Sequence, residues 1–96
     1  MRNVQVTILM PVFNAGPFIG DAIRSVLDQD YKDFELLIVN DGSTDDTVEQ
    51  IRKCKDDRVR LVSQVNMGIA AALNNGLVQS AGNFIARFDA DDICLP

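Results

Sequence analysis

Three carboxylates crowd into four residues near the C-terminal end of the sequence: Asp89, Asp91 and Asp92. Like charges this close repel one another unless a cation or a set of donors compensates. A hard divalent cation, Mg²⁺ or Mn²⁺, takes oxygen ligands and keeps positions open for phosphate oxygens. Asp89 and Asp91 stand two residues apart, so in an extended segment they project to one side. One can meet the metal while the other orients a substrate hydroxyl or a metal-bound water. Taken alone, the tripeptide reads equally as a solvated acidic turn. Its position directly after the apolar run Phe84–Phe88 favours metal binding.

Two other polar clusters also follow apolar runs. Asp41 ends one of them, and a carboxylate there can accept an N–H from a nucleobase edge. The alternative is a plain turn over Asp41-Gly42-Ser43, with Gly42 supplying unusual backbone angles and Ser43 capping a helix. That turn needs Gly42 and Ser43 but not Asp41 specifically, which leaves Asp41 as the functional candidate. Pro11-Val12-Phe13-Asn14 ends the first run. Phe13 there is a base-stacking surface or a core aromatic. Asn66 and Gly68 precede a third helix and either cap it or leave its N-terminus to a phosphate, capping being the simpler reading. Arg87 pairs with one of the carboxylates or faces solvent.

Composition removes other chemistries. The 96 residues include no histidine, which excludes Ser-His and Cys-His nucleophiles, His-ligated zinc and imidazole acid–base catalysis from this chain. The net charge of −5 opposes a nucleic-acid surface, which needs clustered Lys and Arg. An acidic protein still binds a phosphate ligand when a cation lies between them. Cys54 and Cys94 lack metal-ligand spacing and are expected as separate thiols. With 47% hydrophobic and 24% charged residues the chain has the composition of one folded domain. It shows no signal peptide and no run of membrane-spanning length, so a cytoplasmic location is expected, with any anchor lying in residues beyond it.

The elements that must position these residues alternate. Val4–Met10 reads as a strand ended by Pro11. Phe18, Ile19, Ala22, Ile23, Val26 and Leu27 recur at helical spacing, which predicts a helix over about Pro17–Asp28. Phe34–Val39 is an apolar run suited to a strand buried on both faces. Ser43 and Asp46 have the spacing of a capping box for a second helix, with Val48, Ile51 and Cys54 as its buried stripe. Val59–Ser63 is a third strand. Ile69, Ala70, Leu73 and Leu77 mark a third helix, and Phe84–Phe88 a fourth strand. This strand–helix alternation predicts an α/β fold, a Rossmann-like three-layer α/β/α sandwich with a parallel sheet in order 3-2-1-4. The three polar clusters then meet at the carboxyl edge of the sheet, where open parallel sheets bind ligands.

The sequence resembles the family 2 glycosyltransferases of the GT-A fold. Val6 to Asn14 is similar to that family's opening strand and nucleotide loop, and Leu36-Leu37-Ile38-Val39-Asn40-Asp41-Gly42-Ser43-Thr44-Asp45 to its second block. Asn66-x-Gly68, Leu73-Asn74-Asn75-Gly76-Leu77 and Ala81-Gly82-Asn83-Phe84-Ile85 resemble the third, and Phe88-Asp89-Ala90-Asp91-Asp92 the fourth. The four blocks occur in the family's order and spacing.

The resemblance implies transfer of a sugar from a nucleoside diphosphate sugar, a UDP-sugar first of all, to a glycan or lipid-linked acceptor, with inversion. It implies substrate-binding roles for Pro11, Phe13, Asn14, Asp41 and Asp89. Asp91 would bind Mn²⁺ or Mg²⁺ bridging the diphosphate. Two positions depart from the family pattern. Asn40 stands where many members carry an acidic residue, and Leu73 stands where many carry Arg, which removes one diphosphate contact. The family's acceptor half and its general base lie downstream of the Asp-x-Asp motif. Residues 1–96 are thus expected to be the nucleotide-sugar-binding half of a larger domain, without a catalytic residue of their own and inactive alone. Competing readings are a non-catalytic domain of the same fold, a nucleotidyltransferase and a receiver module. The nucleotidyltransferase would want a Gly-rich basic loop after the first strand; the receiver would want an acidic pair where Asn14 stands.

Overall fold

The computed structural model describes residues 5–88. Seven elements alternate along them: β1 (Val6–Val12), α1 (Gly16–Leu27), β2 (Phe34–Asp41), α2 (Thr47–Arg52), β3 (Val59–Gln64), α3 (Ile69–Gln79) and β4 (Phe84–Arg87). The strands form one sheet in order β3-β2-β1-β4, and every pairing is parallel. The three-layer parallel architecture and strand order expected from the sequence are the ones observed.

The layers follow from side-chain alternation. Even-numbered residues of β1 and β2 (Ile8, Met10, Phe34, Leu36, Ile38) join Ile19, Ile23 and Val26 of α1 and Ile51 of α2 in one core. Odd-numbered Leu9, Leu37 and Val39 face the other way and meet Ala72 of α3. Helices α1 and α2 therefore cover one face and α3 the other. The central strand β2 is buried at all eight positions, as its nearly unbroken apolar run predicts, and Glu35, Asn40 and Asp41 are buried with it.

Several boundaries and faces differ from expectation. Strand β1 runs two residues further, through Pro11 to Val12. The Leu9 carbonyl accepts from Phe88 N on the β4 side. Alternation puts the Pro11 nitrogen on that same side, past the last paired residue Leu9. Its missing N–H thus costs no ladder bond. Helix α2 starts at Thr47 with Asp46 as its N-cap, so Ser43 caps nothing. The Ser43 hydroxyl instead accepts the Asn14 N–H across the loops.

On α3 the expected stripe is rotated. Ile69 and Leu77 are about half exposed, and Ala72 and Gly76 are buried. The helix approaches the sheet through its small residues, and a Cβ on Gly76 would collide with the Leu9 side chain. Strand β4 holds the edge that the expected order gives it, and all four of its residues are exposed although most are apolar.

Candidate functional site

The first, second and third strands end together, and the chain segments leaving them enclose a cavity of about 260 Å³. Pro11, Val12 and Phe13 line one side. Asp41 closes it below, and Asn66, Gly68, Ile69 and Ala72 form the α3 side. Pro11 and Val12 are buried, whereas Phe13 is 52% exposed, which rules out its reading as a core aromatic. An aromatic ring half open beside a cavity is a stacking surface for a planar group.

Asp41 is the last residue of β2 and is 5% exposed. Its Oδ1 accepts from Gln64 Nε2 at 2.8 Å and Met67 N at 2.8 Å. Its Oδ2 accepts from Gly68 N at 2.9 Å and, at the longer distance of 3.3 Å, from Asn66 Nδ2. The Met67 N–H first, then the Gln64 amide, and more weakly the Gly68 N–H, hold its carboxyl below the ordinary range against the opposing effect of burial. The Gln64 orientation is fixed from behind, because its Oε1 accepts from Asn75 Nδ2 of α3 at 3.0 Å. Asp41 is thus an anion seated on the two amides that lead into α3, the place where a phosphate was the alternative occupant. It shapes the α3 wall of the cavity, and the long Asn66 contact is the one most readily exchanged for a ligand N–H.

Two glycines permit this seat. Gly68 has φ +96 and Gly42 has φ +72, both in the region that disfavours side chains. A Cβ on Gly42 would stand 2.6 Å from the Asn66 nitrogen.

Asn14 has φ +50 and braces the two loops beside the cavity. Its N–H donates to Ser43 Oγ, and its Oδ1 accepts from Thr44 N at 2.7 Å and Asp45 N at 3.3 Å. Asp45 in turn accepts from Gly16 N, Thr47 N and the Thr47 hydroxyl. The Thr47 hydroxyl heads the causes that hold the Asp45 carboxyl low. With its oxygen engaged there, Asn14 acts on the cavity by fixing the backbone that carries Phe13. Gln64 and Asn75, which hold Asp41 from behind the cavity, were not among the residues expected at the site. The signal for them is a pair of amides flanking the Asn66-x-Gly68 segment.

Asp89 and Asp91 lie outside the described residues. Among the described residues, no three His, Cys, Asp or Glu side chains converge to hold a metal. The chain arrives at Asp89 from a fixed point: Phe88 N donates to Leu9 O at 3.0 Å, two residues before Pro11 of the cavity wall. The oxygen-only donors of the Asp-x-Asp segment suit Mn²⁺ or Mg²⁺. Arg87 is exposed on β4, level with Leu9. No described helix is long and apolar enough to cross a membrane.

Comparison with known proteins bears on the family and the fold. A glycosyltransferase of Rickettsia felis is 43% identical over 94 residues, covering 97% of this chain and 16% of that protein. A glycosyltransferase of Haemophilus influenzae is 42% identical over 95 residues, covering 96% and 38%. The chain therefore spans well under half the length of these relatives. Among solved structures, a mannosyltransferase of Pyrobaculum calidifontis in complex with GDP-Man and Mn²⁺ superposes with a TM-score of 0.87 at 29% identity, over 97% of this chain and 29% of that one. TarS of S. aureus in complex with UDP-GlcNAc superposes at 0.88 with 26% identity, over 94% and 27%. The profile of glycosyl transferase family 2 matches residues 7–96. The chain belongs to that family.

Proposed function

We propose that residues 1–96 form the donor-binding half of a glycosyltransferase that transfers a sugar from a nucleoside diphosphate sugar to a glycan or lipid-linked acceptor, with inversion. The observation that carries this reading is the cavity at the carboxyl edge of the sheet, with Phe13 half exposed on one wall and Asp41 at its floor. The base stacks on Phe13 and lies against Pro11. Its ring N–H bonds to Asp41 by replacing the long Asn66 contact. UDP is the first candidate, and two superposable structures bind UDP-GlcNAc and GDP-Man.

Asp89 meets the ribose or donor sugar. Asp91 holds Mn²⁺ or Mg²⁺, which when bound neutralises the diphosphate and makes it a better leaving group. Acceptor binding and the general base that activates the acceptor hydroxyl belong to the longer protein, and this chain alone transfers no sugar. Calorimetric titration of the longer protein with UDP, with and without Mn²⁺, tests the reading. The expected result is tighter UDP binding with Mn²⁺. Equal affinity in both conditions would return Asp89-Ala90-Asp91 to a solvated turn.

A further inference from the structure

At the opposite end of the sheet from the cavity, a buried carboxylate gathers five elements. Glu35, the second residue of β2, is 2% exposed. Its Oε1 accepts from Arg60 NH1 of β3 at 2.6 Å. Its Oε2 accepts from the Thr7 hydroxyl of β1 at 2.6 Å and from Ala81 N, ahead of β4, at 2.6 Å. The same Arg60 nitrogen donates to Gln79 O at the end of α3, and the Thr7 hydroxyl accepts from Gly82 N at 2.8 Å. A Cβ on Gly82 would collide with the Thr7 backbone, so the turn lies flat against β1.

Strand β4 needs this hold. It has four residues, all exposed, and pairs with β1 alone among the described residues. Burial therefore contributes little to its placement. A slip of one residue along β1 would move the next segment of chain by about 3.3 Å and turn each side chain to the other face. Charge-assisted hydrogen bonds to a buried carboxylate are strong and directional enough to fix register. The Asp89-Ala90-Asp91 segment comes one residue after β4 in the sequence, with only Phe88 between them.

We infer that Glu35 and Thr7 are positioning residues: from the far end of the sheet they set the register of β4 and so the point from which the chain leaves that strand toward its Asp-x-Asp motif. The functional half of this inference rests on the donor-binding reading above. A purely structural Glu35 would weaken the whole fold evenly. A positioning Glu35 loosens β4 and uncouples metal from nucleotide while leaving the cavity's own contacts in place.

The test compares the full protein with Glu35→Gln, Thr7→Val and a control, Val26→Ala, which opens the core under α1 away from both sites. Hydrogen exchange is read at Ala81, Gly82 and Phe84 against the β2 amides, and UDP is titrated with and without MnCl₂. For Glu35→Gln and Thr7→Val the expected result is at least about tenfold faster exchange at residues 81–84 relative to β2, as for loss of a strong hydrogen bond. Their UDP affinity without metal stays within about twofold, and the enhancement by Mn²⁺ is lost. Val26→Ala speeds exchange throughout and keeps the enhancement. Thr7→Val keeps the side-chain shape, so it decides the matter should Glu35→Gln fail to fold. Unchanged exchange at 81–84 in Thr7→Val would overturn the clamp. Loosened exchange with an intact Mn²⁺ effect would overturn its role in the site. No Mn²⁺-dependent UDP binding in the unaltered protein would overturn the donor reading, and the functional half of this inference with it, while the exchange data still decide the clamp.

Discussion

Replacing Gly42 by alanine strikes the hinge between β2 and the cavity wall, and two costs add. Gly42 has φ +72, where an L-residue pays about 1–2 kcal/mol. The new Cβ would lie 2.6 Å from the Asn66 nitrogen and 3.0 Å from its Cβ, whereas non-bonded carbons settle near 3.5–4.0 Å. The obstacle is backbone and cannot rotate aside, so a further ~1–3 kcal/mol of overpacking is added. The sum, roughly 2–5 kcal/mol, is a large share of the ~5–15 kcal/mol that holds a typical domain together. At about 4–8 °C per kcal/mol for a chain of this size, the Tm falls by roughly 10 °C or more. The displaced segment is Asn66–Gly68, whose amides seat Asp41, so UDP affinity falls too. Gly20→Ala is the contrasting control. Among the described residues outside its own helix backbone, the Arg24 guanidinium alone comes within 4 Å of a Cβ there, and in mid-helix alanine gains about 0.5–1 kcal/mol. Urea denaturation followed by circular dichroism measures both. A Gly42→Ala stability within about 0.5 kcal/mol of the unaltered chain, the range of ordinary surface changes, would refute the reasoning.

Phe13→Ala should leave the urea midpoint nearly unchanged, since the ring is half exposed, and weaken UDP binding by the ~1–3 kcal/mol of a lost stacking contact, read by calorimetry. Burial pushes the Glu35 carboxyl up, but bonds from Thr7, Arg60 and Ala81 outweigh it and hold the group below the ordinary carboxylate range. A depressed folded-state value contributes stability above that range and loses it as the pH falls through and below it. The stability gap between the unaltered chain and Glu35→Gln should therefore narrow toward acid, as followed by urea midpoints from neutral pH downward. In the longer protein, Asp91→Asn should abolish the Mn²⁺ enhancement of UDP binding, whereas Asp41→Asn should weaken UDP binding and leave the metal's own affinity unchanged.

The sheet was legible because its apolar runs have the length of strands and the helices between them repeat at 3.6 residues. Phe34–Val39 could only be central, and it is. The face of α3 was not legible, because apolarity marked Ile69 and Leu77 while close packing selected Ala72 and Gly76. Helix propensity patterns record what is greasy, not which neighbour needs room. The convergence of Phe13 and Asp41 on one cavity followed from strand order. The partners of Asp41 did not, since Met67 and Gly68 reach it by backbone N–H groups that no residue type announces. Ser43 misled for a related reason: a capping residue bonds to whichever amide is near, and here that is the Asn14 N–H, 29 residues away. Glu35 carried a signal that periodicity ignores. A carboxylate as the second residue of a strand buried throughout must have partners, and Thr7, Arg60 and Ala81 supply them.

Strand β4 leaves one flank without a neighbouring strand among the described residues, with Phe84 and Ile85 exposed on its two faces and Val78 of α3 exposed as well. An edge strand bordered by exposed apolar side chains is a place where a further extended chain can pair. In a concentrated solution of these 96 residues the extended chain at hand is another molecule's, so self-association will rise with concentration and with every condition that frays the ends of the sheet. A lysine placed at Phe84 or Ile85 would act as a gatekeeper there, keeping the protein dispersed without touching the cavity at the other end of the strands.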